Sequence, residues 1–332
     1  ALYTSDLLDN YASKLISACG EPMNKVFFVN SGSEAVDLGI SLARVASDSL
    51  NVVTFSEGYH GGTYLSKSAT GLETWHFNSE QAPHICHVPS PLCADSENAS
   101  IEAIAKTFSQ ISQNSQRPIM LLEPVMGVGG IVLPSCNYLN KLKELLAKHN
   151  GLLLLDEVQT GFGRCGDTLF AFQKLGLKPD VLLLGKAIAN GYPLGAVLMT
   201  EEIAQANNEL LHFNTFGGHP ASIAAASVTL DKINQPAFLE LISQRGERFR
   251  RLLKEKLPAP EVRDVRGVGY MTGLEVDSAE NAARVLNDCF ENKLLVGMGG
   301  RGKNVIRLQP ALIFNDDDFD EVVNILGRVL NS

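Results

Sequence analysis

The sequence predicts an α/β fold: a large domain with a mainly parallel sheet flanked by helices, plus a smaller C-terminal α+β domain. Three observations predict it. Short apolar runs bounded by Gly and polar residues alternate with amphipathic stretches from residue 26 to about 200, the pattern of a parallel sheet with helical crossovers. Two of these runs, Leu152-Leu153-Leu154-Leu155 and Val181 to Leu184, are apolar throughout and read as strands buried on both faces. After Pro236 the pattern changes to a long helix followed by short strands and helices. The expected division is therefore residues 1–235 and 236–332.

Each element has its own signal. Leu7, Leu8, Tyr11, Leu15 and Ile16 mark a helix over 5–19, with Pro22 as its stop. Val26 to Val29 is a strand that runs into Asn30-Ser31-Gly32-Ser33-Glu34 and a second helix. Val52 to Phe55 is a strand ending in Ser56-Glu57-Gly58-Tyr59-His60-Gly61-Gly62. Ile101, Ile104, Ala105, Phe108 and Ile111 share a helix face over 100–112. Ile119 to Leu122 is a strand ending in Glu123. Tyr138 to His149 is an amphipathic helix closed by Asn150-Gly151. It feeds the strand that ends in Asp156. Further on, helices are predicted over 221–233, 238–256, 279–291 and 317–330, and strands over Gly269 to Val276 and Val305 to Leu308. Pro258 and Pro260 punctuate the link after the long helix.

Bulk properties bound the function. A chain of 332 residues, 45% hydrophobic and 20% charged, is ordinary for a two-domain soluble enzyme. A net charge of −9 argues against nucleic acid and anionic membranes as partners. No apolar run is long enough to span a bilayer. Six scattered cysteines without a C-x-x-C pair fit reduced thiols, so a cytoplasmic location is expected. His84, Cys86, His87 and Cys93 lack zinc-knuckle spacing, and no metal site is expected. The start, Ala1-Leu2-Tyr3-Thr4, carries neither an initiator Met nor a signal peptide, and the chain is expected to be trimmed or a piece of something longer.

The chemistry gathers at strand ends, where α/β sheets keep their ligands. One strand delivers an acid, Asp156, and its neighbour an amine, Lys186. Pyridoxal phosphate needs both: a lysine to bond its aldehyde and an acid to keep its ring nitrogen protonated. A buried Asp–Lys ion pair is the plainer alternative. Ser31-Gly32-Ser33 between strand and helix makes an anion site from free helix N–H groups, or simply an N-cap. Tyr59 in its Gly-flanked loop can lie on a planar ring, or is an incidental turn aromatic. Gly161-Phe162-Gly163-Arg164-Cys165-Gly166 matches G-x-G-x-x-G, but five residues separate it from the strand and no helix opens there, so dinucleotide binding is not expected.

Taken together these residues resemble the class III, or ω-type, aminotransferases of pyridoxal-phosphate fold type I. The matching segments are NSGSEAVDLGISLAR (30–44), EGYHGGT (57–63), EPVMGVGG (123–130), LLLLDEVQTGFGRCG (152–166), LLLGKAIANGYPLGAV (182–197), NTFGGHP (214–220) and VIRLQPAL (305–312), in the family's order. The resemblance implies pyridoxal 5'-phosphate as cofactor, Schiff-base bonded to Lys186. It implies that Asp156 pairs with the ring nitrogen, Gln159 reaches the phenolic oxygen, and Val158 and Tyr59 face the ring from opposite sides. Gly32 and Ser33 would hold the phosphate, with Glu123 in support and His60 also among the cofactor-binding residues. Thr215 would reach the phosphate in the neighbouring subunit, which implies an isologous homodimer. Arg307 would bind a substrate carboxylate. Where 2-oxoglutarate users often carry a Glu, this chain has Val128, which points to pyruvate or glyoxylate as acceptor. The family's N-terminal segment, which helps line the pocket, is not in this sequence. The expected activity is transfer of an amino group from an amine or amino acid to a keto acid. The alternatives are a phospholyase, racemase or aminomutase on the same fold, or an inactive cofactor-binding fragment.

Overall fold

The computed structural model describes residues 5–76, 80–92, 96–257 and 261–331. Helix α1 (Asp6–Cys19) buries Tyr11, Leu15 and Cys19 and is capped by the Ser5 hydroxyl. Gly20, at φ 71°, ends it, two residues before Pro22. Then follow β1 (Lys25–Val29), α2 (Gly32–Ser47), β2 (Val52–Phe55), α3 (Tyr64–Ala69), β3 (Ile85–Val88), α4 (Glu97–Ser112), β4 (Ile119–Leu122), α5 (Cys136–Lys148), β5 (Leu152–Asp156), α6 (Ala171–Leu175), β6 (Val181–Leu184), β7 (Gly195–Met199), α7 (Glu201–Ala206) and α8 (Pro220–Ile233).

The seven strands form one sheet in the order β1-β7-β6-β5-β4-β2-β3. Strands β3, β2, β4, β5 and β6 are parallel, whereas β7 runs antiparallel to both β6 and β1. The reversal has a simple cause. The link from β6 to β7 holds only a short 3-10 turn, Lys186–Ala189, and a parallel return needs a crossover of about a dozen residues or more. Every residue of β2, β4, β5, β6 and β7 is buried. Alternate side chains feed two cores. Met120, Leu153, Leu155, Leu182 and Leu184 meet Tyr11, Phe108, Leu142 and Ile223 on one face. Leu121, Leu152, Leu154, Val181 and Leu183 meet Val36, Ile40 and Ala43 of α2 on the other.

The C-terminal part comprises α9 (Pro236–Lys256), β8 (Val262–Val268), β9 (Met271–Val276), α10 (Ala279–Glu291), β10 (Gly297–Gly299), β11 (Val305–Leu308) and α11 (Asp316–Leu330). Its strands make an antiparallel sheet, β10-β11-β9-β8. A separate core of Ile242, Phe249, Leu253, Val285, Phe319 and Leu326 lies between sheet and helices. Pro258 and Pro260 lie outside the described residues. Hydrogen bonds tie the two parts together: the Arg266 side chain donates through Nε to the Gly130 and Ile131 carbonyls, Gly300 N–H to the Val128 carbonyl, Tyr270 N–H to the Arg164 carbonyl and Asp167 N–H to the Leu239 carbonyl. Among the described residues no helix is long and apolar enough to cross a membrane.

Candidate active site

Because β1, β2, β4, β5 and β6 run the same way, residues 30–33, 56–63, 123–130, 156–160 and 185–186 emerge on one edge of the sheet. At the first of these, Ser31 caps α2 by accepting from Glu34 N–H at 3.2 Å. The Ser33 hydroxyl is engaged differently: it accepts from Gly62 N–H at 3.0 Å, so its own proton is left to donate. Ser31 thus makes the N-cap of the plainer alternative, and Ser33 faces the loop. Glycine is required twice here. A Cβ on Gly32 would stand 2.8 Å from Val158 Cγ1, and one on Gly61, at φ 137°, would stand 2.5 Å from Ser33 Oγ.

Asp156 ends β5 and is 4% exposed. Its Oδ1 accepts from Val158 N–H at 3.1 Å, and its Oδ2 lies 2.8 Å from His60 Nδ1. His60 therefore stands behind the acid. The imidazole is itself held at Nε2, 3.0 Å from the Thr54 hydroxyl. Glu123 accepts from the backbone N–H of Tyr59 and of Gly127, at 3.0 and 2.9 Å. Its carboxylate thus fixes two loops. Burial is the main cause that raises its pKa. Gln159 lies directly on Gly127, where a Cβ would fall 2.0 Å from Gln159 Oε1. The Tyr59 ring meets Trp75 edge-on at 4.8 Å. Trp75 was not legible as a site residue, since it lies in a stretch without periodicity; that it is the chain's single Trp was the available signal.

Lys186 follows β6 at φ 43°, a left-handed conformation uncommon for a side-chain-bearing residue. Among the described residues its amine has no hydrogen-bond or ion-pair partner. It is open to solvent, yet surrounded by enough protein that lost hydration, the largest effect, lowers its pKa; Asp156 and Glu123 oppose this, and Arg307 and Arg164 add to it. Arg307, on β11, brings the small sheet to the same place. Its side chain lies along β10, where a Cβ on Gly299 would meet Arg307 Cδ at 2.9 Å and one on Gly297 would meet Nη2 at 3.2 Å. Its Nε donates to the Met298 carbonyl at 3.3 Å. The two glycines make a track for the guanidinium, which the sequence reading passed over.

Thr215 is exposed, in a loop tied to the start of α2 through Asn214, which bonds Asn30 and Glu34. His84, Cys86 and His87 lie on and just before β3, and Cys93 lies outside the described residues.

Comparison with known proteins decides the family. A profile described as aminotransferase class-III matches residues 1–330. The chain belongs to the class III aminotransferase family. It is similar to the acetylornithine aminotransferase of Methanothermobacter thermautotrophicus, 36% identical over 321 residues, 96% of this chain and 77% of that protein. It is also similar to that of Bacillus subtilis, 32% identical over 332 residues, 99% of this chain and 81% of that protein. Among solved structures, a Bacillus anthracis aminotransferase superposes with a TM-score of 0.91 at 26% identity, covering 99% of this chain and 81% of the other. A Pseudomonas jessenii ω-transaminase variant gives 0.89 at 26% identity, over 99% and 80%.

Class III aminotransferases depend on pyridoxal phosphate, and the residues of this chain fit that group. The glycine cradle at Gly32 and Gly61 lies at the N-terminus of a 16-residue helix, suited to a phosphate. An acid backed by a histidine and an amine without a partner among the described residues stand at the ends of adjoining strands. Glycine at 127 leaves room for the Gln159 amide.

Proposed function

We propose that this class III aminotransferase moves an amino group from a primary amine or an α- or ω-amino acid to a small keto acid of the pyruvate or glyoxylate type, working as a homodimer. The observation that carries the transfer chemistry is the Lys186 amine, without a partner among the described residues and at the same edge of the sheet as Asp156 and the α2 N-terminus. Pyridoxal phosphate, when bound, supplies an aldehyde that takes up the amino group and a ring that draws electrons from the substrate carbon. Asp156 holds the proton at the ring nitrogen. Lys186 Nζ, with its lowered pKa, takes a proton from the substrate carbon and returns it on the other side of the transfer. Arg307 orients the substrate by its carboxylate.

The acceptor preference is supported by the surroundings of Arg307. A Cβ on Gly299 would touch both the Val128 carbonyl, at 2.5 Å, and Arg307. Residue 128 is thus a neighbour of the guanidinium, and it brings no carboxylate. Among the described residues Arg307 has no ion-pair partner. The names of the relatives favour a second reading of the donor, an N-acetylated ornithine. The dimer is supported by the loop around Thr215, where Leu210, Leu211, Phe213 and Phe216 are all at least half exposed.

The test is the visible absorption spectrum with added pyridoxal phosphate, beside Lys186→Ala, followed by a donor and acceptor panel. The expected result is a band absent from the variant and bleached by a donor amine, with one amino acid formed per keto acid consumed. N-acetylornithine with pyruvate, glyoxylate or 2-oxoglutarate separates the two readings. Ammonia released without any new amino acid would overturn transfer in favour of elimination.

A further inference from the structure

Thr54 is fully buried in β2, and its hydroxyl oxygen lies 3.0 Å from His60 Nε2. The other imidazole nitrogen, Nδ1, lies 2.8 Å from Asp156 Oδ2. We propose that Thr54 is a positioning residue: its hydroxyl donates to His60 Nε2, fixes the imidazole N–H on Nδ1, and so presents Asp156 to the cofactor as a hydrogen-bond acceptor.

The argument is one of proton placement. A neutral imidazole carries one N–H, and a hydroxyl can donate or accept. Among the described residues the Thr54 hydroxyl has His60 Nε2 as its hydrogen-bond partner and nothing else. Its proton has no other acceptor in a site without water contact, so it goes to Nε2. The ring proton is then on Nδ1 and points at Asp156, as a second partner sets the tautomer of metal-bound histidines. A doubly protonated ring would set Nε2–H against the hydroxyl and strand the hydroxyl proton in the core. The charged and titratable groups around His60 agree with this placement. Asp156 comes from β5. Glu123, at the end of β4, is occupied by Tyr59 and Gly127 N–H groups. His87, on β3, pairs with Thr54 across the strands. The backbone of His60 is locked separately, by its N–H to Thr70 Oγ1 at 2.9 Å.

The consequence for the cofactor rests on the aminotransferase reading; the proton placement does not. The experiment is side-chain nitrogen NMR of His60 in the apo protein for wild type, Thr54→Val and Thr54→Ser. The expected wild-type pattern is a protonated Nδ1 with an unprotonated Nε2. Valine keeps the shape of threonine without the hydroxyl, so the Nε2 resonance in that variant moves to the position of an imidazole nitrogen that accepts no hydrogen bond, and serine restores the wild-type position. With pyridoxal phosphate added, the valine variant binds it several-fold more weakly and the serine variant does not. A wild-type ring protonated on Nε2, or a valine variant whose Nε2 resonance stays at the wild-type position, overturns the proposal. The apo measurement involves no cofactor, so its failure is distinct from failure of the absorption test above.

Discussion

At the scale of single residues, the site depends on where side chains are missing as much as on where they are present. Gly127 is the sharpest case. A methyl group there would overlap the Gln159 amide at 2.0 Å. Gly127→Ala should therefore push Gln159 away and strain the loop by about 1–3 kcal/mol, the usual cost of overpacking. The expected outcome is a several-fold rise in the dissociation constant for pyridoxal phosphate, read by fluorescence or absorption titration, with thermal unfolding only modestly lowered. Unchanged cofactor affinity would show that Gln159 does not touch the ligand. Glycine at 127 was visible in the sequence as part of EPVMGVGG, but its reason was not. Gln159 is 32 positions away, and only the fold brings the two together.

At the scale of elements, a buried carboxylate ties α6 to the catalytic loop. Glu157 is fully buried and accepts from Phe172 N–H at 2.7 Å, Ala171 N–H at 3.0 Å and the Thr160 hydroxyl at 2.7 Å. Burial pushes its pKa up to about 7 against the pull of those three donors. The ordinary value is 4.5, so between these limits the folded protein binds more protons than the unfolded chain. Stability is fully present below about 4.5 and falls as pH rises through about 7. At 1.36 kcal/mol per unit the loss is on the order of 3 kcal/mol. Chemical denaturation at a series of pH values should show this decline in wild type. Glu157→Gln should remove it, while lowering stability by about 1–3 kcal/mol because an amide turns a donor toward Ala171 N–H. A second element contact is equally specific. Gly246 of α9 lies against the turn between β8 and β9, and a Cβ there would fall 2.0 Å from the Gly269 carbonyl oxygen. Alanine is the better helix former by about 1 kcal/mol, but backbone cannot yield as a side-chain tip can. Gly246→Ala should therefore lower the unfolding midpoint, and a raised midpoint would show that α9 shifts freely.

At the scale of the whole molecule, the exposed apolar loop around Thr215 asks for a partner. Leu211 is fully exposed, and Phe213 and Phe216 are 60% and 65% exposed. Light scattering should report twice the 35.9 kDa of one chain. Leu211→Asp should shift the population toward monomer and weaken pyridoxal phosphate binding in parallel, because Thr215 would then reach no neighbouring site. A monomeric wild type with full cofactor affinity would remove the composite-site reading.

The amino-acid sequence by itself determined the strands that matter. Leu152 to Leu155 and Val181 to Leu184 are apolar without interruption, a signal that depends on burial alone, and the residues that follow them carry the chemistry in a readable order. The sequence also determined the family, since seven segments match in sequence and order. Tertiary structure alone decided the rest. β7 reverses because its connection is too short for a crossover, which no local pattern announces. β8 was illegible because Arg263, Asp264 and Arg266 break its alternation, and β10 because two of its three residues are glycines. The place of His60 behind Asp156, with Thr54 behind it in turn, arises because β2 and β5 are brought within side-chain reach across β4. A hydrogen bond between residues 96 positions apart leaves no trace in either neighbourhood; it exists only once the sheet has set the order of its strands.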